Sequence, residues 1–459
     1  MSQDSGKNWA EIEFGNVSLG DARLVKRLVC IAQKLGEQPT ASIPQACGTW
    51  DHIKGTYRFF DNHKVEEDQI LAAHQQASQD RAREHAVVLA IQDTTQLDFT
   101  HHPVTSELGR LQDQKHQGLF YHPTLLLTPG KVPLGLAHHQ VWTRQAEDFG
   151  KRHTRKQRPI QDKESHKWLR SLEATARLQG ALPDVCFVNV ADREADIYDF
   201  FRLARKLDVH LLVRAAWNRR VEQPEKYLWD HLRAQPVAGD HTVEVPRRPA
   251  NKGRQAQLTV RFAAVNLQPP RYRCSDKNLE PVAVWAIYAL EEEPPPGLAP
   301  ISWMLLTTIP VTTLEESIEK IQYYTCRWSI ELLFKILKSG CRIEELQLET
   351  GARLRRCLAV YSVVAWRVLF LTMQSRQQPD MSCEAILEPE EWQALYCFSH
   401  ETSQAPSEPP TLREATRLIA RLGGFIGRRR DGHPGPITIW RGLQRLKDIA
   451  FAWRLGRSP

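Results

Sequence analysis

Two short apolar stretches in the first half of the chain each lead into an acidic residue. Residues 86–91 and 185–191 are apolar runs of the kind typical of strands buried on both faces. Asp93 follows the first run and Asp192 follows the second. An acid at the end of a buried strand is a common functional position in α/β folds, and it is also a common start to a turn. We therefore expect two buried strands with acids at their carboxyl ends.

The elements around these runs alternate in a defined order. Residues 120–127 and 132–142 are strand-like and flank Thr128-Pro129-Gly130, which predicts a β-hairpin. Helices are predicted at 163–180 and from the second acid to about residue 206, and a further strand at 209–214. The succession is strand, strand, strand, helix, strand, helix, strand, with an antiparallel meander first. This order predicts an α/β layered fold of the ribonuclease H-like type.

Residues 216–300 interrupt this order. Three segments, HTVEVPRR, QLTVRFAAVNL and VAVWAIYALE, predict strands that are separated by connections rich in proline and charge. We expect an antiparallel β insertion at about 216–300, after which residues 302–308 resume a buried strand. Thr313 and Glu316 then have the spacing of a capping box, which predicts the start of a helix.

Helical patterns dominate both ends of the chain. Residues 15–36 are amphipathic, with Asp21 as the expected N-cap and Gly36 as the expected stop. Near the other end, Thr411 and Glu414 predict a second capping box. We predict three units, which are a helical N-terminal domain at 1–70, an α/β domain at 71–372 and a helical C-terminal domain at 373–459.

A narrow polar stripe runs along a helix predicted over residues 321–345. At about 100° per residue, five polar or phenolic groups fall on one side of this helix, namely Tyr324, Arg327, Glu331, Lys335 and Lys338. Most of the remaining circumference is apolar, which is typical of a buried helix. Such a helix keeps a Glu among cations where the stripe faces a polar partner, for example a negatively charged ligand. The alternative is a solvated face with helical salt bridges such as Glu331–Lys335.

Composition narrows the class of protein. The chain has 459 residues and a net charge of +7, which permits a polyanionic partner without requiring one. Its nine cysteines include no C-x-x-C pair, which argues against a zinc ribbon or a disulfide framework and fits a reducing compartment. The N-terminus has no apolar h-region and no run approaches a membrane span, so we expect a cytoplasmic protein.

Asp93, Asp192 and Glu331 together suggest a metal site. Three converging carboxylates repel one another unless cations lie between them, and carboxylate and water ligands favour Mg²⁺ or Mn²⁺ over zinc. Two such ions would activate a water or hydroxyl and stabilise the leaving oxygen of a phosphodiester. Phosphate contacts beside the ions are expected from the three cations of the stripe, Arg327, Lys335 and Lys338.

Tyr324, Arg327, Glu331 and Lys338 match the Y-R-E-K signature of bacterial DDE insertion-sequence transposases. With QDTT at 92–95 and DREAD at 192–196, the chain resembles the cut-and-paste subgroup best known from a kanamycin-resistance transposon. The resemblance covers most of the chain. Further matching segments are LGD with the arginine-bearing helix at 19–27, HxxW at 139–142, DKESHKW at 162–168, YLWDHL at 227–232 and ARLGGF at 420–425.

This resemblance implies a catalytic centre and a reaction. Asp93, Asp192 and Glu331 would be the DDE ligands of two Mg²⁺ ions, for which Mn²⁺ would substitute, and the β insertion would lie between the second Asp and the Glu. Transposon ends would be cut by water, and the freed 3′-hydroxyl would attack the opposite strand to form a hairpin. A second water would open the hairpin, and the 3′ ends would then join target DNA.

The resemblance also implies contacts to double-stranded DNA. Trp303 matches the position that stacks on a flipped base, Trp328 one that helps to displace it, and Arg214 a DNA-contacting arginine. Ordinary core packing is the alternative for each Trp, since Trp is usually largely buried. Tyr324, with the Arg and Lys of the signature, would hold phosphates around the flipped base.

The two helical ends would bind the transposon ends and a second protomer. Arg23, Lys26 and Arg27 are the candidates for contacts to the terminal inverted repeats, and a solvated basic surface explains them equally well. The C-terminal helices would form a homodimer, although residues 374–410 depart most from the family pattern. The competing readings are a catalytically silent DNA-binding or inhibitory relative and a metal nuclease that cuts without joining.

Overall fold

A computed structural model of the protein describes residues 8–113, 115–144, 158–245, 253–273, 279–428 and 431–456. Its elements form a helical N-terminal part, one large mixed sheet covered on both faces, and a helical C-terminal part. The mixed α/β architecture with helical ends confirms the predicted fold class.

Among the described residues, five helices precede the sheet, namely α1 (Trp9–Phe14), α2 (Ala22–Glu37), α3 (Ile43–Cys47), α4 (Trp50–Asp61) and α5 (Glu67–Ala82). Helix α2 starts as predicted, because the Asp21 side chain accepts a hydrogen bond from the Arg23 amide at 2.8 Å. The predicted stop at Gly36 was wrong, since the helix continues to Glu37. A side chain at Gly36 would overlap the ring of Trp9, so this glycine permits the close approach of α1.

The eleven strands of the described residues belong to one sheet. They are β1 (Val87–Gln92), β2 (Thr95–Asp98), β3 (Gly109–Arg110), β4 (Gln117–Leu127), β5 (Pro133–Trp142), β6 (Cys186–Ala191), β7 (His210–Arg214), β8 (Gly239–Val245), β9 (Arg254–Leu267), β10 (Val282–Leu290) and β11 (Ser302–Thr307). Strand β4 pairs antiparallel with β1 and β5, whereas β1, β6 and β7 are parallel neighbours. The predicted meander followed by parallel strands is therefore confirmed.

The insertion extends this sheet. The order continues from β7 through β11, β10 and β9 to β8, and every one of these pairings is antiparallel. A short helix, α8 (Leu228–Ala234), packs on β9 and β10 and was not predicted. Residues 246–248 of the first predicted insertion strand lie outside the described residues.

Helices cover both faces of the sheet. On one face lie α6 (His166–Ala181) and α7 (Tyr198–Leu207), whose apolar residues pack against β7, β10 and β11. On the other face lies α11 (Gly351–Gln377), which packs against α5 and β5. Among the described residues this is the one helix long and apolar enough to cross a membrane, but 89% of its most apolar window is buried within the protein. Its composition is that of a core helix.

The helix predicted over 321–345 is interrupted. Helix α9 (Leu314–Cys326) begins at the predicted cap, where the Thr313 hydroxyl accepts from the Glu316 amide, and α10 (Trp328–Lys335) follows after Arg327. The Arg327 amide donates to the carbonyl of Tyr324, three residues earlier, which is the hydrogen bond of a 3₁₀ turn and not of an α-helix. Further on, Ile336–Gly340 form a π-helical turn. The prediction of a single uninterrupted helix was therefore wrong, although the backbone at Arg327 stays right-handed and Arg327 still contacts Glu331 one turn further on.

In the part of the chain that the structure describes, α11 is followed by three α-helices, namely α12 (Pro389–His400), α13 (Leu412–Leu422) and α14 (Pro436–Leu455). The predicted capping box of Thr411 and Glu414 starts α13. Helix α14 rests on the π-helical turn, where a side chain at Gly340 would overlap the ring of Trp440. The predicted domain limits at 70/71 and 372/373 fall inside α5 and α11, and each of these helices continues from one part of the molecule into the next.

Candidate active site

Two acids meet at the carboxyl end of the parallel strands. Strands β1 and β6 pair in a register that runs from Val87 opposite Cys186 to Ile91 opposite Val190. The same register continued by two residues sets Asp93 opposite Asp192. Because neighbouring strands lie about 4.8 Å apart, this register brings the two carboxylates together. The sequence predicted this pair, since both acids follow buried parallel strands.

Asp93 is held in a fixed orientation. One carboxylate oxygen accepts a hydrogen bond from the Thr94 amide at 2.7 Å, and the other lies 2.7 Å from Nη1 of Arg327. The Thr94 hydroxyl is in turn 2.9 Å from Nδ1 of the buried His122. Burial, with the nearby negative charge of Asp192, raises the pKa of Asp93 to about 7. Its pKa is thus strongly perturbed even though an arginine is in contact with it.

Asp192 is in a similar environment. Its carboxylate caps a short turn by accepting from the Glu194 amide at 2.9 Å. Burial raises the pKa of Asp192, while the Glu194 amide, Arg327 and Lys167 act in the opposite direction. Two neighbouring acids therefore have raised pKa values. Strongly perturbed pKa values cluster at functional sites in folded proteins.

Arg327 links the third acid to this pair. Its Nη1 lies 2.7 Å from Asp93 and 3.4 Å from Oε1 of Glu331, one helical turn further along α10. Burial lowers the pKa of Arg327, but Asp93, Tyr324 and the other two acids raise it above its ordinary value. The Glu331 side chain is 40% exposed, so it remains accessible at the edge of the site.

The guanidinium of Arg327 occupies the place of a cation between two of the acids. Within the described ranges no group of three Asp, Glu, His or Cys side chains is arranged to hold a metal ion as the side chains stand. The donor set nevertheless fits a hard cation, because the three groups are carboxylates and two of them have raised pKa values.

A second group of predicted residues lies beside the acids. The rings of Trp303 and Tyr324 meet edge to face, with centroids 5.5 Å apart. Arg214, at the end of β7, donates to the Ser302 carbonyl at 2.9 Å, and its Nε is buried without a hydrogen-bond partner in the described part of the chain. Burial raises the pKa of Tyr324, and the positive charge of Arg214 opposes this shift. The site thus includes a polar aromatic wall next to the carboxylates.

The remaining members of the predicted stripe are less enclosed. Trp328 is 38% exposed and Lys335 is exposed. Lys338 lies 3.2 Å from Glu344, which also accepts from the Asp98 amide. A phosphate at Lys338 would therefore compete with a carboxylate of the protein itself.

The basic residues of α2 lie on the N-terminal helices, apart from the acids. Arg23 and Lys26 are exposed, whereas the Arg27 guanidinium lies against Gly55 of α4. The structure does not bring these three residues to the acids.

Two residues close to the acids were not singled out by sequence reasoning. Lys167 of α6 is 3.3 Å from Glu194 and lowers the pKa of Asp192, so it contributes positive charge to the site. Asp196, the second Asp of the DREAD segment, is buried and accepts from the amides of Ala216 and Trp217. The segments DKESHKW and DREAD were the available signals, but nothing in them indicates which residue touches the site.

Three carboxylates that lie together at the carboxyl ends of the strands of a mixed sheet are typical of enzymes that use divalent metal ions to act on phosphodiesters. Three family models match the chain and agree with this class. A transposase DNA-binding family matches residues 6–65, a transposase DDE domain matches 171–363, and a transposase Tn5 dimerisation domain matches 363–458. The DDE match includes Asp192 and Glu331, while Asp93 precedes it.

The chain belongs to the DDE transposases of the Tn5 type. It is therefore a DNA transposase, an enzyme that cleaves DNA and transfers strands, with a DNA-binding domain and a dimerisation domain. DDE domains use divalent metal ions, and the domain content indicates a protein that binds DNA and forms homodimers. The resemblance identified from the sequence is confirmed at this level.

Proposed function

We propose that this transposase moves an insertion sequence by a cut-and-paste route through hairpin-ended DNA, with Asp93, Asp192 and Glu331 as the catalytic carboxylates. The observation that carries the proposal is the shared environment of these acids. Asp93 and Asp192 follow two paired parallel strands and lie close enough for the charge of Asp192 to raise the pKa of Asp93. One nitrogen of Arg327 contacts both Asp93 and Glu331.

The three carboxylates would hold two Mg²⁺ ions, and Mn²⁺ would substitute. When bound, such ions supply Lewis-acid activation of a water or 3′-hydroxyl and charge stabilisation of the leaving oxygen. Burial raises the pKa of Asp93 and of Asp192 in the absence of a cation. A bound cation would offset this effect by favouring the ionised carboxylates. Amide hydrogen bonds from Thr94 and Glu194 orient the two Asp side chains.

Arg327 would contact phosphate once cations neutralise the acids. Its guanidinium is already in the site, and a planar fork of donors suits a phosphodiester. Tyr324, Lys335 and Lys338 would add contacts on the same stripe, with Lys338 exchanging Glu344 for a phosphate. These residues would hold the strand without taking part in bond breaking.

Trp303 would stack on the base that leaves the duplex when the hairpin forms. Its ring is only partly buried and stands against Tyr324, so one side of the pair can receive a base. Trp328, which is partly exposed, would help to displace that base, and Arg214 would bind the nearby backbone.

The helical ends would assemble the complex. Arg23, Lys26 and Arg27 would contact the terminal inverted repeats, and the helices after residue 372 would join two protomers into a synapse that captures target DNA. We assign residues 1–70 to end binding, 71–372 to catalysis with an insertion at about 216–300, and 373–459 to dimerisation. A cytoplasmic location with access to the nucleoid follows from this role.

The test is a Mg²⁺-dependent cleavage assay on a labelled duplex that carries the terminal repeat flanking the gene. Wild type is expected to give hairpin-ended product, whereas Asp192→Ala and Glu331→Ala bind the duplex without cutting it. Glu345→Ala, which removes an exposed carboxylate near the end of the same segment, is the matched control and should cut normally. Cleavage by Asp192→Ala would refute the assignment of the acids.

A catalytically silent DNA-binding or inhibitory protein is the alternative function. The intact set of acids, with raised pKa values for both Asp residues, argues against it because an inactive protein has no need to retain that cost. Binding of the duplex by wild type without any cut strand would favour this alternative.

A further inference from the structure

An exposed tryptophan stands on a rigid segment beside the active site. Trp217 is 67% exposed, and its neighbours Ala216 and Asn218 are also exposed. Large aromatic side chains are usually buried, and an aromatic ring left in water at a fixed position is a common feature of binding surfaces. Nothing in the sequence patterns indicated a role for this residue.

The backbone under Trp217 is anchored by a buried carboxylate. Asp196 accepts hydrogen bonds from the Ala216 amide at 2.8 Å and the Trp217 amide at 3.1 Å. Nε of Arg219 lies 2.6 Å from the same carboxylate, and this guanidinium also bonds the Asp196 carbonyl. Asp196 is 4% exposed, and both of its carboxylate oxygens accept hydrogen bonds from this segment. It therefore acts as a positioning residue for the segment.

The segment is also fixed on its far side. Arg220 pairs with Tyr227, and Val221 pairs with Leu267 at the end of β9. Exposed residues 216–218 therefore lie between two anchored points. A ring on such a backbone binds a partner with little additional loss of conformational entropy.

The location of Trp217 relates it to the reacting DNA. It follows Arg214 by three residues, a span of about 10 Å at most. Arg214 donates a hydrogen bond to the Ser302 carbonyl of β11, the β-strand that carries Trp303. Asp196 lies at the end of the short turn that Asp192 begins. With a rise of about 3.4 Å per base pair, that span corresponds to about three nucleotides from a DNA strand bound by Arg214.

We propose that Trp217 is a second aromatic contact for DNA, which stacks on an unpaired base next to the cleavage position, and that Asp196 positions it. This inference rests on the proposed function, since it requires a distorted DNA end at the acids. We choose a nucleobase as the partner because the Trp217 ring lies near residues proposed to bind phosphate. When the duplex opens there, unpaired bases become available to stack on an aromatic side chain. Arg220, which is exposed and three residues further along the chain, would supply positive charge for such a strand.

The experiment compares binding of two fluorescein-labelled duplexes in metal-free buffer, so that no strand is cut. Both carry the terminal repeat, and one has two unpaired bases at the cleavage end. Trp217→Ala is expected to weaken binding to the unpaired version about tenfold, with a much smaller effect on the paired version. Trp217→Phe should restore most of the loss because it retains a stacking face.

Three further measurements separate a ring contact from a structural effect. Tyr272→Ala removes another exposed ring, in the connection between β9 and β10, and should bind both duplexes as wild type does. Trp217→Ala should leave unchanged the slope of log affinity against log salt, whereas Arg220→Ala should reduce that slope by about one. Asp196→Ala should reproduce the loss seen for Trp217→Ala while Trp217 is still present.

The outcomes distinguish this inference from the proposed function. If wild type binds neither duplex, both are overturned. If wild type prefers the unpaired duplex and Trp217→Ala keeps that preference, only the role of Trp217 is refuted. Equal weakening on both duplexes by Trp217→Ala would also refute base stacking.

Discussion

Replacing Asp93 by Asn is expected to stabilise the metal-free protein at neutral pH while it abolishes DNA cleavage. Burial and the neighbouring Asp192 raise the pKa of Asp93 to about 7, whereas an unfolded Asp has a pKa near 3.9. A raised folded-state pKa means that the contribution of this group to stability is present below pH about 4 and is lost as the pH rises through about 7. Asparagine removes that loss because it does not ionise.

The magnitude follows from the size of the shift. About three pKa units at about 1.4 kcal/mol each give an upper limit of roughly 4 kcal/mol in the free energy of unfolding. The carbonyl oxygen of the substituted side chain still accepts from the Thr94 amide, but Arg327 loses its closest partner. We therefore expect a net gain of about 1–2 kcal/mol for Asp93→Asn at pH 8.

The assay is urea denaturation in EDTA at a series of pH values. The difference in midpoint between Asp93→Asn and wild type should be small near pH 4 and should grow until about pH 7. Mg²⁺ added at pH 8 should raise the wild-type midpoint and leave the variant nearly unchanged, because ligand binding stabilises only a protein that keeps the site.

Asp98→Asn is the matched control. Asp98 lies at the end of β2, and although partial burial raises its pKa, hydrogen bonds from Thr100 lower the pKa overall. Removing that charge should therefore not stabilise the protein at pH 8. A variant Asp93→Asn that is less stable than wild type, or a difference that does not change with pH, would show that the Arg327 pair stabilises the fold and would refute this reasoning.

Three further predictions concern packing and DNA distortion. Glu13→Gln is expected to lower the free energy of unfolding by about 2–4 kcal/mol, because it leaves His74 and Arg81 without their carboxylate partner. The urea midpoint measures this effect, and Asp80→Asn, at an exposed acid, is the control. Gly340→Ala should destabilise by about 1–3 kcal/mol in the same assay by overlap with an aromatic ring of α14, whereas Gly180→Ala, with open space around it, should be neutral or slightly stabilising. Trp303→Ala should slow hairpin formation more than first-strand nicking in a timed gel assay, and equal slowing of both steps would indicate a purely structural ring.

Sequence alone was sufficient for features that depend on local chemistry. Capping side chains at Asp21, Thr313 and Thr411 start helices because each bonds an amide within three residues of itself. Buried strands were recognisable from continuous apolar runs, and the acids that follow them were recognisable as a pair because neighbouring parallel strands end at one edge.

Tertiary structure alone decided which distant groups meet. A glycine in a helical pattern predicts a stop, but Gly36 lies within α2, where the absence of a side chain leaves room for the Trp9 ring of α1. Arg327 contacts an acid 234 residues away, and Asp196 anchors Trp217 through backbone amides that carry no sequence signature. The periodicity of apolar residues predicts whether a side chain is buried but not which residues it packs against. The contacts within the site are therefore known only from the assembled sheet.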